Sequence, residues 1–494
     1  MSTDQPTRRV IALAPMPPEK SAYALARYSR SPDSIENSLR WVHSHSSEKF
    51  WDQFYFDYGH ASIADLGHVI ICFEDISELA AIRLEDEPLW DGQAKSSRYQ
   101  NFASGGWYVP DSIHGTETEG TYQGILRSLG EIYKLLHQPL IKFISEREPC
   151  PESMKQADYQ RTIAARAFDV TRYLLPLAAR TNVGQVVSIR TLEKQITRLL
   201  SSQIPELRAI GDELKDACQR SPVNIWGELC GQPAAHEPLA PTLARHAKAN
   251  DYQASVYQDL SKYAKDALRG TGLDQPASWG EPEPVDLIEP HDPMDEIVTT
   301  LVYRVSHAPY RKILAVVRTW TERQKQDAID VAMSSRGPYD ELIKEFRSGY
   351  AFTFDVLMDI GGWRDMHRHR RCQQIQQNFT TVHGYETPPP LVQAGLDQEY
   401  RQAMDAVRSD IERLKKTSAE GSLYATPFGF KVRCLFKMDY AEAEYIARIR
   451  SGVKGHWSYR TIAWLMKQKI AERYPMLGDR IRATSPDVED TLTR

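Results

Sequence analysis

The chain has no paired-cysteine motif, no long apolar run and no excess of basic charge, and each absence argues against a class of function. Its six cysteines, Cys72, Cys150, Cys218, Cys230, Cys372 and Cys434, are scattered through 494 residues without a CxxC pair. That spacing argues against a disulfide or zinc framework and for a reducing, cytoplasmic setting. No apolar stretch approaches the ~20 residues of a membrane span. The polar start MSTDQPTRR lacks the apolar centre of a signal peptide. A net charge of −5 speaks against a general nucleic-acid or anionic-membrane surface, so any anion site has to be local. What is present is the composition of a folded, soluble protein, with ten tryptophans and a 10% aromatic share. Its length suits two domains or one large duplicated unit.

Internal similarity favours duplication. Ala22–Pro32 (AYALARYSRSP) aligns without gaps on Thr299–Pro309 (TTLVYRVSHAP), with Arg27 on Arg304, Ser29 on Ser306 and Pro32 on Pro309. HVIICFEDIS (68–77) and YAFTFDVLMDI (350–360) both read as apolar, β-branched or aromatic strands. Tyr122, Ile125, Leu126, Leu129, Ile132, Tyr133 and Leu136 then fall at helical spacing, as do Tyr400, Met404, Val407, Ile411 and Leu414. TRYLLPLAAR (171–180) matches SLYATPFGFK (422–431) around Pro176 and Pro427, after an insertion in the first half. Each half closes with helices, the last over Tyr459–Arg473. Gln275–Pro293, rich in proline and acid, reads as a linker or an ordered surface crossover. The units expected are 1–284, with a helical insertion, and 285–494.

Two segments carry candidate chemistry. Arg368-His369-Arg370 follows strand-like sequence, with Arg364, His367 and Arg371 nearby. Such a cluster supplies N–H donors for phosphate, or for the pyrophosphate and ring carbonyls of a flavin, although a solvated basic face paired with acids has the same composition. Ser96-Ser97-Arg98-Tyr99 suits a phosphate-binding turn, and equally a plain loop. Seven residues separate the triplet from Asn378, and seven separate Asp86-Glu87-Pro88 from Ser96. One half therefore keeps the cations and the other keeps Ser-x-Arg-Tyr, as if one anion site were divided between two diverged copies.

The order Gly-His-x-Ser, strand, Arg-His-Arg, seven residues, Ser-x-Arg-Tyr resembles the flavin-dependent thymidylate synthase family. The resemblance implies an α+β fold, here as two tandem units each with an antiparallel sheet and long helices. It also implies thymidylate formation from deoxyuridylate with FAD, NADPH and methylenetetrahydrofolate, in a homotetramer that a dimer of this duplicated chain would imitate. GHASIAD places His60 and Ser62 at the flavin. SSRYQNF places Ser96, Arg98 and Tyr99 at the nucleotide phosphate, and RYLLPL places Arg172 there too. Arg190 in VVSIRTLEKQI is similar to a flavin-binding arginine. Arg368, His369 and Arg370 would serve flavin and nucleotide. Arg450 matches the late arginine that contacts the uracil and favours its ionised form, and Leu199 occupies that position in the first half.

The departures are concentrated on the substrate side. Asn378, Thr380 and Thr381 replace Ser-x-Arg-Tyr in the second half, and Asp365 replaces a nucleotide-binding glutamine. Ala94 replaces a loop acid, and Asp439 and Ala441 replace Asn-x-Arg. The leading expectation is FAD-dependent one-carbon transfer to C5 of dUMP or a related pyrimidine nucleotide. The alternatives are a non-catalytic nucleotide- or flavin-binding protein on the same scaffold, and a flavoenzyme acting on something other than nucleotides. Acids at Asp86 and Glu87 repel a pyrophosphate, so flavin is expected only at the His369 copy, with the counterpart pocket empty or collapsed.

Overall fold

The fold comes from a computed structural model that describes residues 13, 15–29, 31, 34–52, 61–98, 100–102, 106–223, 240–273, 283–288, 292–336, 343–346, 349–350, 352–479, 481–490 and 492. His60 and Tyr99 lie outside the described residues. Within them, seven strands form two antiparallel sheets. The first contains β1 (His68–Ser77), β2 (Asp91–Ala94) and β3 (Arg180–Ser188), in the order β1-β3-β2. The second contains β4 (Val285–Ile288), β5 (Phe352–Asp359), β6 (Gln373–Gln376) and β7 (Lys431–Met438), in the order β4-β5-β7-β6. The chain is therefore α+β with one sheet in each half. Part of the proline-rich segment joins the second sheet: Val285 pairs with Val356, and Val285 and Ile288 are buried.

The first half adds helices α1 (Pro18–Tyr28), α2 (Glu78–Leu84), α3 (Glu117–Arg147), α4 (Gln156–Thr171) and α5 (Ile189–Leu200). Then follow α6 (Asp251–Ala267), α7 (Pro293–Arg304), α8 (Tyr310–Val317) and α9 (Glu322–Met333). The set ends with α10 (Ile360–Met366), α11 (Asp397–Leu414), α12 (Tyr440–Arg450) and α13 (Trp457–Arg473). Strands β1 and β5 each run directly into a capped helix. Ser77 accepts from Ala80 N to start α2, and Asp359 accepts from Gly362 N to start α10. A strand that ends in an N-cap turns sharply, and this places the start of each short helix at the junction of the halves.

The junction is built from hydrogen bonds exchanged in matched pairs. Leu177 N donates to Thr426 O, and Phe428 N to Leu175 O; Ala178 N donates to Tyr424 O, and Gly429 N to Tyr173 O. Pro176 and Pro427, matched in the sequence, face each other as a bridge. Such reciprocity is the mark of an internal two-fold relation. Beyond it, the Tyr122 hydroxyl donates to Tyr108 O and the Tyr400 hydroxyl to Glu386 O. Gly429 is required where the backbones meet, because a Cβ there would lie 2.5 Å from the Tyr400 hydroxyl. Helices α3 and α11 pack on each other across the junction. Leu126, Leu129 and Tyr133 share one core with Met404, Val407 and Ile411, so the halves are joined by a common interior.

The two sheets differ in cover. Strand β5 is buried along its whole length, with α7 and α8 over one face through Val298, Val302, Tyr303 and Ile313. Helix α6, although before residue 285, packs on α7 and α9. In the first half the outer face of β1 and β3 is open, with Ile70 71% exposed. No described helix is long and apolar enough to cross a membrane.

Candidate functional site

Arginines from both halves meet at the junction. Arg98 leaves the turn after β2, Arg172 stands just past α4, Arg368 follows α10 and Arg450 ends α12. Arg172 is 2% exposed, and its NH1 donates to Asp365 Oδ2 at 3.2 Å. Its Nε and NH2 are buried without a hydrogen-bond partner. Arg98 grips Asp169 through Nε at 2.7 Å and NH2 at 3.3 Å, and its NH1 donates to the Tyr459 hydroxyl at 2.9 Å. Asp169 is itself positioned by His456, whose Nε2 lies 3.0 Å from the Asp169 carbonyl. The guanidiniums of Arg98 and Arg450 lie 5.7 and 5.5 Å from the centre of the Tyr459 ring. One aromatic ring of the second half thus carries a cation from each half.

Asp365 is the electrostatic centre of this group. Burial works against its ionisation, but Arg172, Arg98, Arg368 and Arg450 together hold its carboxyl down at about 2. It is therefore ionised at neutral pH.

His369 is 6% exposed and fixed from both sides. Its Nε2 accepts from Arg450 Nε at 2.7 Å, which leaves the proton on Nδ1, 3.5 Å from Glu442 Oε1. Burial, with Arg450, pushes its pKa down against the pull of Glu442, so the ring is neutral. Arg368 and Arg370 reach the other way, onto β2 of the first half. Arg368 NH1 donates to Gln93 Oε1 at 3.3 Å, and Arg370 pairs with Asp91 beside Trp90. Below them Arg364 meets the fully buried Glu78 at 2.6 Å, a contact without hydrogen-bond alignment. Burial pushes Glu78 up to about 7 against the opposing fields of Arg364, Arg368 and Arg172, with Glu85 adding to the rise.

Of the other expected residues, Ser96 Oγ accepts from Arg98 N at 3.3 Å and shapes the turn. Ser62 is exposed on the short helix Ala61–Leu66. Arg190 stands in the first turn of α5 and donates to Asp65 at 3.0 Å. Asp169, Tyr459, Glu442 and Gln93 organise the site and carry no motif that singles them out in the sequence. Among the described residues no cluster of His, Cys, Asp and Glu suits a metal. A cavity of about 320 Å³ lined by Glu283, Asp286, Arg311, Lys469 and Tyr474 lies apart from these arginines.

The counterpart cluster, holding Asp86, Glu87 and Asn378, is closed by its own charges. Arg198 Nε pairs with Glu87 at 2.7 Å and Lys344 with Asp86 at 3.1 Å. Arg304 donates to Asn378 at 3.3 Å and lies 3.6 Å from the buried Glu345. Arg83 donates to Gln376, and burial, with Arg304 and Arg198, presses its pKa to about 10. His367 is pushed down to about 4, by burial above all. Leu199 is in the core of the first half.

The model of the family described as thymidylate synthase complementing protein matches residues 10–221 and 298–476 of the chain. A UPF0159 protein of Chlamydia pneumoniae is 24% identical over 450 residues, covering 86% of this chain and 79% of the relative. One from Thermoplasma acidophilum is 22% identical over 509 residues, covering 93% and 94%. Among solved structures, the chain is similar to a flavin dependent thymidylate synthase of Helicobacter pylori complexed with FAD and dUMP. That similarity has 13% identity and a TM-score of 0.25, and covers 41% of this chain and 89% of the other.

Proposed function

Because the chain belongs to the thymidylate synthase complementing protein family, we propose that it carries out FAD-dependent one-carbon transfer to C5 of a uracil nucleotide, dUMP or a close relative, at a site made by both halves. The single observation that carries this reading is the convergence of the halves, with Arg172 of the first on Asp365 of the second and Arg98 of the first beside Arg450 of the second on the Tyr459 ring. Arg98, Arg172 and the Ser96 turn hold the phosphate, for which buried guanidinium donors contribute about 1.5–3 kcal/mol per charge-assisted bond. Arg450 has one nitrogen committed to His369. Its remaining N–H groups face the uracil and favour loss of the N3 proton, which makes C5 more nucleophilic. His369 serves that step by fixing Arg450, and Glu442 fixes His369.

The residues fit a flavin in part. Arg368 and Arg370 are both partly exposed, and Arg368 has no carboxylate ion-pair partner among the described residues. They suit the pyrophosphate or ring carbonyls of FAD, with Ser62 and Arg190 as further contacts. FAD, when bound, supplies the reducing hydride. NADPH and methylenetetrahydrofolate complete the set of co-substrates. Units 1–284 and 285–494 act as one catalytic body, two chains of which associate as a homodimer. The test is conversion of dUMP to dTMP by the purified, FAD-loaded chain with both co-substrates, lost in Arg450→Ala. Binding of dUMP and FAD with no product under any one-carbon donor would leave a binding protein in place of an enzyme.

A further inference from the structure

A carboxylate at the centre of an arginine cluster occupies the place that a ligand's anionic group needs. Asp365 is such a group. Arg172 touches it at 3.2 Å while keeping two buried, unpartnered N–H nitrogens, Nε and NH2. Arg368 and Arg450 bond only to neutral acceptors, Gln93 and His369, among the described residues. Arg98 is the exception, since Asp169 already grips it. The unpartnered donors thus lie on the arginine that touches this internal anion, and the two cations without ion pairs act on it through their fields.

Resting on the nucleotide reading above, we propose that Asp365 is a specificity-determining residue. Its carboxylate is a built-in competitor for the phosphate seat, which the incoming phosphate must displace or share. The physics is direct. A fixed negative charge at contact distance from a dianion opposes it, while in the empty site the same charge is the carboxylate in direct contact with the buried Arg172. The site therefore stays ordered without ligand and binds phosphate less tightly than its arginines allow. It also discriminates by charge, penalising a dianion more than a monoanion and leaving an uncharged nucleoside unaffected.

The test compares the full chain with Asp365→Asn and Asp365→Gln, using calorimetric titration with inorganic phosphate, dUMP and deoxyuridine. The amide oxygen of asparagine still accepts from Arg172, so this variant keeps the local shape, and the glutamine variant gives a second neutral side chain. Inorganic phosphate and dUMP are expected to bind each neutral variant at least about tenfold more tightly than the parent, with deoxyuridine unchanged. Asp365→Glu, which keeps the charge, is expected to show no such gain. Equal or weaker phosphate binding in both neutral variants overturns the proposal and makes Asp365 an orienting group. The nucleotide reading fails separately. Tighter inorganic phosphate with no dUMP binding in any protein would sustain the competitor role and refute a uracil nucleotide as the ligand.

Discussion

The two clusters at the junction occupy matched positions in the duplicated chain, and two of the matched residues are reversed in sign. Where the second half has Asp365 and Arg368, the first half has Arg83 and Asp86. The two copies handle their charges differently. Around Asp365 the cations outnumber their close counterions, and Arg172 is left with unsatisfied donors. Around Arg83 the charges are consumed in pairs, Arg198 with Glu87, Lys344 with Asp86 and Arg304 with Glu345. An array of donors without acceptors is a site; the same array with its acceptors supplied is a structural latch. Duplication lets one copy keep the first role while the other takes the second.

The comparison breaks most visibly at Arg172. Arg172→Met is expected to lower dUMP affinity more than about 100-fold, since it removes at least two charge-assisted bonds. It should also lower stability by about 3–5 kcal/mol by leaving Asp365 partly buried and unpaired; titration and denaturant melts give both numbers. Next come Arg98→Ala and Arg450→Ala, each expected to weaken dUMP by about 10–100-fold. Because both arginines flank Tyr459 of the same chain, mixing the two variants should restore no activity. In the latch the pattern reverses. Arg198→Ala is expected to cost about 1–3 kcal/mol of stability and to leave dUMP affinity unchanged within error.

The smallest effects concern pH, and they separate the clusters by sign. Glu78 is raised to about 7 in the folded state, so the stability it contributes is present below its unfolded value and is lost as pH rises through 7. His367 is lowered to about 4, so its contribution is present above its unfolded value and is lost as pH falls from there through 4. Glu78→Gln should flatten the neutral side of the melting profile and His367→Asn the acid side, each by about 2–4 °C.

Much of this was legible in the sequence. The strand patterns of 68–77 and 350–360 marked β1 and β5, and the helical spacing around Leu129 and Val407 marked α3 and α11. The match of Pro176 with Pro427 located the junction itself. The division of cations and Ser-x-Arg-Tyr between halves led to the expectation of a site shared between them, and the fold sets Arg98 beside Tyr459 and Arg172 beside Asp365 of the other half. What was not legible depends on three-dimensional neighbours. Asp169 and Tyr459 carry no motif, and only the fold sets them beside Arg98. Arg450 and Glu442, both on α12, fix His369 from its two ring nitrogens. The composition of 275–293 pointed to a linker or an ordered surface crossover, and it did not show that Val285 and Ile288 pair at the free edge beside β5. Asp365 was readable as a departure, while its place at the centre of four arginines was not.

The most direct test of a single site shared by both halves is the stoichiometry of dUMP binding to the full chain, measured by calorimetry with protein concentration fixed by absorbance. One nucleotide per chain, abolished by either Arg98→Ala combined with Arg172→Met or Arg450→Ala combined with Arg368→Ala, is the expected result. Two nucleotides per chain, or one that survives the loss of either half's arginines, would contradict it.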